Sequence, residues 1–302
     1  MLSFIHRCRA VAHEAAFLLK SARPGFWMTT VWFYFLPLSG NKAWLHSGFW
    51  LGLAVVTFPL GLIIYGWNDL VDADTDQFNP RKNTFLFGAR PTAEQRRRLP
   101  GWIAAVQIPF ALLIAQRVGV ARTLAWYGVV AAFVGLYNQN PFRCKCRPPL
   151  EILCQAGYLM VFVLSSWLNE LPQLSWPAFV FGALFAMHSH LFGEIMDIAP
   201  DAQAGRRTTA VLLGPVVAKL LVAALLFFET GWVWYFFRAA EIAGFLALSG
   251  LGFVIDATLL WRARPYSERQ MRAFFLGWNA VALASLPWIW LKMPFSQLVA
   301  HV

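Results

Sequence analysis

Two stretches of this chain, Ala43–Asn68 and Leu171–Gly193, contain no Asp, Glu, Lys or Arg. A helix needs roughly 20 apolar residues to cross a bilayer core. Within lipid, the backbone polar groups must be satisfied inside the segment itself or in a closed barrel. These runs therefore read as membrane-spanning helices, and the ten-residue alternation of a barrel strand is absent. Composition agrees. The 302 residues are 59% hydrophobic and 13% charged, against about 45–50% and about 25% in soluble domains. A soluble enzyme is thereby set aside before any motif is read.

Hydropathy places about nine spans, near 24–41, 46–67, 100–117, 121–139, 149–168, 173–193, 210–229, 240–261 and 272–292. The seventh and eighth are the weakest, because Lys219 interrupts one and Glu241 and Asp256 bracket the other. Gly231–Phe237, rich in Trp, Tyr and Phe, suits an interfacial aromatic belt between them. Residues 1–22 mix Arg7, Arg9, Glu14 and Lys20 with apolar side chains, as an amphipathic helix on the membrane surface does. The chain thus divides into an amphipathic segment, 1–22, and a transmembrane domain, 23–302.

The net charge of +10 would suggest nucleic acid in a soluble protein, but 19 of the 25 Lys and Arg fall in alternate loops, starting with the N-terminal segment. That asymmetry is topological, and no nucleic-acid partner is expected. By the positive-inside rule the N-terminus and this loop set are cytoplasmic and the C-terminus is external. Cys144 and Cys146 lack a second ligand pair at zinc-like spacing.

Two acidic motifs end spans on this cytoplasmic side. The first is Asn68-Asp69-Leu70-Val71-Asp72-Ala73-Asp74-Thr75-Asp76. If the helix continues, Asn68, Asp72 and Asp76 share a face at i, i+4 and i+8. Asp74 then points off that face. Stacked carboxylates repel one another, and a hard dication with oxygen ligands relieves the repulsion. Magnesium typically combines one or two carboxylates with phosphate oxygens and water. The second motif, Glu194-Ile195-Met196-Asp197-Ile198-Ala199-Pro200-Asp201, has i, i+3, i+7 spacing. Pro200 lacks a backbone donor and is a point where the regular turn would break. Each motif is followed by cations, Arg81-Lys82 and Arg206-Arg207, which suggests an internal repeat of about four spans. A third constellation, Tyr137-Asn138-Gln139-Asn140-Pro141-Phe142-Arg143-Cys144-Lys145, offers two cations for phosphate oxygens. Membrane-edge ionisable groups are functional candidates by default.

These residues resemble the UbiA superfamily of intramembrane prenyltransferases. The resemblance rests on Arg23-Pro24, Asn68-Asp69-x-x-Asp72-x-x-x-Asp76, Tyr137-x-x-x-Pro141-x-Arg143-x-Lys145, Asp197-x-x-x-Asp201 and the downstream Gly205-Arg206-Arg207. It implies an all-α polytopic protein, nine helices around a lipid-facing cavity capped by cytoplasmic loops. It implies Mg2+ held by Asn68, Asp69, Asp72, Asp76, Glu194, Asp197 and Asp201, with Asp72 and Asp197 catalytic. Glu194 stands where the family usually has Asp, and Asn138 and Asn140 replace a common Ser and Pro. Arg23, Arg81, Lys82, Tyr137, Arg143, Lys145 and Arg206 are the expected diphosphate ligands. His188 and His190, shortly before the second motif, are placed to shape an acceptor pocket or accept a proton.

The implied reaction moves a prenyl chain from a polyprenyl diphosphate to a lipophilic acceptor. That acceptor is an aromatic quinone precursor or a carotenoid. The Asn79-Pro80-Arg81-Lys82 extension looks like carotenoid-elongating members, in which lycopene accepts the prenyl unit. The rivals are a membrane terpene cyclase of the same superfamily and a secondary transporter. A transporter would place its polar groups nearer the midplane. A CDP-alcohol phosphotransferase would need an Asp-Gly pair closely followed by Ala-Arg, which is missing between Asp69 and Asn83. The location expected is the bacterial inner membrane, with membrane lipid as the surrounding partner.

Overall fold

The structure, a computed structural model, describes residues 2–38, 42–73, 75–292 and 295; the side chains of residues 2–8 and 10 lie outside the description. All the regular elements among them are helical. Helix α1, Leu2–Ser21, leads into a 3-10 turn at Pro24–Phe26 and a short helix α2, Trp27–Phe35. Eight long helices follow: α3 Ser47–Asp72, α4 Ala93–Val118, α5 Val120–Asn138, α6 Leu150–Leu168, α7 Trp176–Gln203, α8 Thr209–Phe237, α9 Ala240–Thr258 and α10 Glu268–Lys292. Each of these eight is long and apolar enough to cross a bilayer. The first expected span, 24–41, corresponds to α2 with its flanking 3-10 turns up to Leu38, and residues 39–41 lie outside the description.

Lipid contact explains why large apolar side chains such as Leu112, Leu124, Leu212 and Leu248 remain exposed on the outside of the bundle. Inside, one continuous apolar cluster runs from Phe17 on α1 to Phe295. Between transmembrane helices, small residues allow close approach. A Cβ on Gly48 of α3 would lie 2.1 Å from the Leu168 carbonyl oxygen of α6. A Cβ on Gly52, one turn on, would lie 2.2 Å from the Tyr34 hydroxyl. Tyr34 donates that hydroxyl to the Phe49 carbonyl at 3.0 Å, so α2 and α3 lock together.

The two spans weakened by charge are complete helices. Lys219 on α8 is fully buried and lies 3.1 Å from Asp256 on α9. Tyr266 donates its hydroxyl to the same carboxylate, and Lys219 also reaches the Arg262 carbonyl at 3.0 Å. Each charge interrupts the hydropathy of its own span but is neutralised by a neighbouring one, the usual solution for ionisable groups in a membrane. Gly231–Phe237 is the last two turns of α8 rather than a connection. Its Trp232 and Phe236 rings pack on Trp176 of α7, with ring centres 5.6 and 5.2 Å away. Helix α1 buries Phe17 and Leu18 while leaving Arg9 and Val11 exposed, and Glu14 accepts from the Trp102 indole of α4 at 2.8 Å.

Candidate active site

Helix α3 is not regular as it nears its end. Leu62–Gly66 forms a π-helical turn, and such turns recur at functional sites because they re-aim the helix beyond them. The following segment, Trp67–Asp72, sends Asn68 and Asp72 to the wall of a cavity of about 770 Å³. The helix ends at Asp72, earlier than the i, i+8 pattern requires. Asp76 instead opens a 3-10 turn, Asp76–Phe78, and reaches the same cavity by that route. Asp74 lies outside the described residues. Asp69 faces a different set of partners and is not part of the cavity wall. Its Oδ1 accepts from Arg23 at 2.7 Å and from Lys82 at 2.6 Å, and its Oδ2 accepts from the Ala89 amide at 3.0 Å. With both oxygens engaged and no exposure, Asp69 ties the N-terminal segment to the loop after α3.

The second motif is helical throughout. Helix α7 continues through Pro200 to Gln203, so the proline costs one internal hydrogen bond without ending the helix. Glu194, Asp197 and Asp201 all line the cavity. Glu194 is the most enclosed of the three, accepting from the Ala210 amide of α8 at 3.2 Å and lying 3.2 Å from His190.

Basic side chains join the two motifs. Arg206 lies 2.9 Å from Asp72 and 3.3 Å from Asp201, and it also donates to Thr75. Arg81 donates to Asp197, and Asn79 donates to the same oxygen at 3.0 Å. Lys82 lies 2.6 Å from Asp76 as well as from Asp69. Lys145 contacts Asp72 at 2.5 Å and the Asn138 side-chain oxygen at 3.0 Å. Burial pushes the Lys145 ammonium below its ordinary value, with Asp72 pulling against it. Burial likewise raises Asp76; Lys82 lowers it, and the nearby Asp69 and Asp72 add to the rise.

Of the expected phosphate ligands, Arg23, Arg81, Lys82, Tyr137, Lys145 and Arg206 line the cavity and Arg143 does not. Arg143 sits in the left-handed region, at φ 40°, where it starts the 3-10 turn that carries Lys145 inward. Four lining residues escaped the sequence reading in this role. Asn138, Thr75 and Asn79 hold the site's charged side chains. Tyr65 pairs its hydroxyl with that of Tyr158 at 2.6 Å beneath the Arg23 guanidinium, which stacks 4.9 Å from the Tyr65 ring. Asn138 and Asn79 were visible within the motifs. Tyr65 carries no signal to separate it from an ordinary span aromatic.

Away from the charged end the cavity is apolar and aromatic, with Phe26, Phe133, Phe185's neighbour Trp278, Phe245 and Phe275 among its surroundings. His188 and His190 both line it. Tyr137 and His190 approach at 3.5 Å, and His188 Nδ1 lies 2.6 Å from Glu229 of α8.

The donor chemistry fits magnesium. Asn68, Asp72, Asp76, Asp197 and Asp201 supply hard oxygens to one cavity end. Asp76 Oδ2 is buried without a properly directed hydrogen bond, despite its closeness to Lys82. Among the described residues no three His, Cys, Asp or Glu side chains stand together as a ready metal cluster. Lys or Arg sits against each of Asp72, Asp76, Asp197 and Asp201.

Comparison with known proteins agrees with this architecture. The chain is 29% identical over 259 residues to a lycopene elongase/hydratase of Haloarcula japonica, covering 81% of this chain and 85% of the relative. It is 27% identical to a lycopene elongase/hydratase of Corynebacterium glutamicum, covering 84% and 88%. A UbiA homologue of Archaeoglobus fulgidus, solved bound to DMAPP and Mg2+, superposes with a TM-score of 0.68 at 18% identity, covering 90% of this chain and 98% of that one. The same homologue bound to GPP and Mg2+ gives 0.67. The UbiA prenyltransferase family profile matches residues 26–286, and the chain belongs to that family.

Proposed function

We propose that this prenyltransferase moves the prenyl group of an allylic diphosphate onto a carotenoid, using magnesium held between its two acidic motifs. The observation that carries the reading is the make-up of one cavity. Its charged end combines Asn68, Asp72, Asp76, Asp197 and Asp201 with Arg81, Lys82, Lys145 and Arg206, and the remainder is lined by apolar and aromatic side chains.

Asn68, Asp72 and Asp76 from one side and Asp197 and Asp201 from the other are the groups that would hold the metal. When bound, magnesium supplies positive charge to the departing diphosphate. Arg81, Lys82, Lys145 and Arg206 would hold phosphate oxygens, because they already reach into the cavity to meet carboxylates. Their transfer from carboxylate to phosphate would free the acidic oxygens for coordination and bind the leaving group in the same event. Arg206 matters most for orientation, since it spans Asp72 and Asp201. Beyond them, the apolar wall keeps water from the allylic cation, and aromatic faces attract it.

A carotenoid acceptor is favoured over an aromatic quinone precursor by two supports. The relatives named lycopene elongase/hydratase match over most of both chains. The loop extension Asn79–Lys82 places Asn79 and Arg81 on Asp197, so the segment that resembles carotenoid-elongating members is part of the site. The site end is read as cytoplasmic, where soluble synthases deliver diphosphates.

The test is product analysis with purified protein, magnesium and dimethylallyl or geranyl diphosphate, with acyclic carotenoids and aromatic quinone precursors offered in turn. The expected result is a carotenoid heavier by one prenyl unit, formed only with magnesium and lost on chelation. A conjugate with quinone precursors alone overturns the acceptor assignment. A hydrocarbon or alcohol made from donor alone, with no conjugate, overturns transfer in favour of cyclisation.

A further inference from the structure

Transfer of a prenyl cation to carbon leaves a charge that must be discharged. The donor C–O bond breaks and its electron pair departs with diphosphate. The acceptor π electrons form the new C–C bond, leaving a cation on the adjacent acceptor carbon. A neutral alkene product then requires one proton to leave from a carbon beside that cation, its C–H electron pair becoming the new C=C bond. The base that takes this proton must reach the apolar part of the cavity.

We infer that His188 is this proton acceptor and that Glu229 is the residue that positions it. The inference rests on the transferase reading above and deepens it. His188 is 4% exposed, lines the cavity and sits in α7 nine residues before Asp197. At about 1.5 Å per residue it stands roughly 13 Å deeper along the helix than Asp197. It is therefore on the acceptor side of the diphosphate end. Its Nδ1 lies 2.6 Å from Oε1 of Glu229, a residue with no exposure on the neighbouring helix α8. An ionised carboxylate only accepts, so Nδ1 carries the proton and Nε2 is left with its lone pair. The hydrogen bond to Glu229 engages Nδ1, so Nε2 is the ring nitrogen left for a proton. The carboxylate also balances the imidazolium that forms when Nε2 takes the proton, as an orienting acid does beside other catalytic histidines.

The other candidate bases are tied to the diphosphate end or to the ion pair between α8 and α9. His190 Nε2 lies 3.2 Å from Glu194 and 3.5 Å from the Tyr137 hydroxyl. Asp256 is held by Lys219, Tyr266 and the Trp261 amide. Around His188 the wall is aromatic. The Phe185 ring meets the imidazole edge-on at 5.1 Å and packs 5.5 Å from Trp278. Aromatic faces of this kind attract a nearby cation.

The experiment uses full-length enzyme, magnesium, dimethylallyl diphosphate and an acyclic carotene. It compares His188→Asn, His188→Ala and Glu229→Gln with the unsubstituted protein. The readouts are donor binding and the ratio of alkene conjugate to its hydrated form and double-bond isomers. His188→Asn should bind donor normally but lower that ratio by roughly tenfold or more, as loss of a general base predicts. Added imidazole should restore the ratio in His188→Ala, and Glu229→Gln should shift it in the same direction to a smaller extent. If His188→Asn proves unstable, the imidazole response of His188→Ala and the ratio in Glu229→Gln decide the matter. An unchanged ratio in variants that bind donor, or no imidazole response, gives the proton to the departing diphosphate and overturns the inference alone. Unsubstituted enzyme that forms no conjugate overturns the transferase reading and this inference with it.

Discussion

Asp69 and Asp76 belong to one motif, yet their surroundings assign them opposite physical parts. Asp69 compensates two cations, Arg23 and Lys82, and accepts a backbone amide, with no exposed surface. Breaking a buried pair of this sort by removing one partner costs on the order of 3–5 kcal/mol. Asp69→Ala should therefore lower the thermal midpoint of the metal-free protein clearly in detergent. Asp76→Asn should be close to neutral or stabilising in that assay. Burial and the neighbouring Asp69 and Asp72 raise its pKa, so its ionised form is disfavoured in the folded state, and Lys82 keeps Asp69 when Asp76 is neutralised. The sign follows for pH as well. A carboxyl raised on folding contributes stability below its unfolded value and loses it as pH rises through the folded value. With magnesium and donor present the order should reverse. Asp72→Ala, Asp76→Asn and Asp197→Ala should each lower turnover by roughly a hundredfold or more, because charge stabilisation of the leaving group depends on them. A turnover assay beside a thermal melt separates the two classes of aspartate. A full-activity Asp72→Ala, Asp197→Ala double variant would remove the metal-site assignment.

Elements carry information that residue spacing does not. The i, i+4, i+8 spacing predicts one helical face for Asn68, Asp72 and Asp76; all three line the cavity, but the chain does not form the continuous helix that the spacing assumes. The π-turn Leu62–Gly66 and the 3-10 turn Asp76–Phe78 achieve the convergence instead. Neither is visible in hydropathy, because the apolar residues of Leu62–Gly66 satisfy a helix of any pitch. Charge was misleading in the opposite way at Lys219 and Asp256, whose mutual neutralisation across α8 and α9 is a tertiary fact. Long apolar runs such as those of α3 and α7 were legible from sequence because lipid leaves the backbone no alternative. A deletion tests the part played by the π-turn. Removing Ile64 should return the segment toward α-helical pitch and rotate Asn68 and Asp72 by about 100° relative to the helix below. The variant should insert into membranes and lose magnesium-dependent donor binding. Retained binding at the unsubstituted affinity would show that the turn does not set the motif's direction.

At the scale of the whole molecule, contacts and charge counts describe the same two ends. Lys20 reaches Asn83 at 3.1 Å, Arg23 reaches Asp69, Arg81 reaches Asp197, and Lys145 and Arg206 converge on Asp72. The N-terminal segment and the loops after α3, α5 and α7 therefore meet at one end of the bundle, as the lysine and arginine asymmetry requires of loops on one side. At the other end Arg117 donates to Ser47, and Arg122 lies 5.7 Å from the Trp167 ring. Folding alone does not say which end faces the cytoplasm; the proposed orientation rests on the excess of basic residues and the positive-inside rule. The acceptor's identity was equally beyond the fold, since an apolar aromatic wall suits any lipophilic substrate. Orientation can be read with single cysteines placed at exposed positions of opposite ends, Gln173 before α7 and Arg207 after it, in a chain whose four native cysteines are replaced by serine. In intact cells a membrane-impermeant thiol reagent should label Gln173→Cys and leave Arg207→Cys untouched until the membrane is opened. The reverse pattern would put the acidic motifs outside, away from diphosphates made by soluble synthases, and the proposed donor supply would have to be abandoned. Labelling of both from outside would instead break the assignment of α7 as a membrane span.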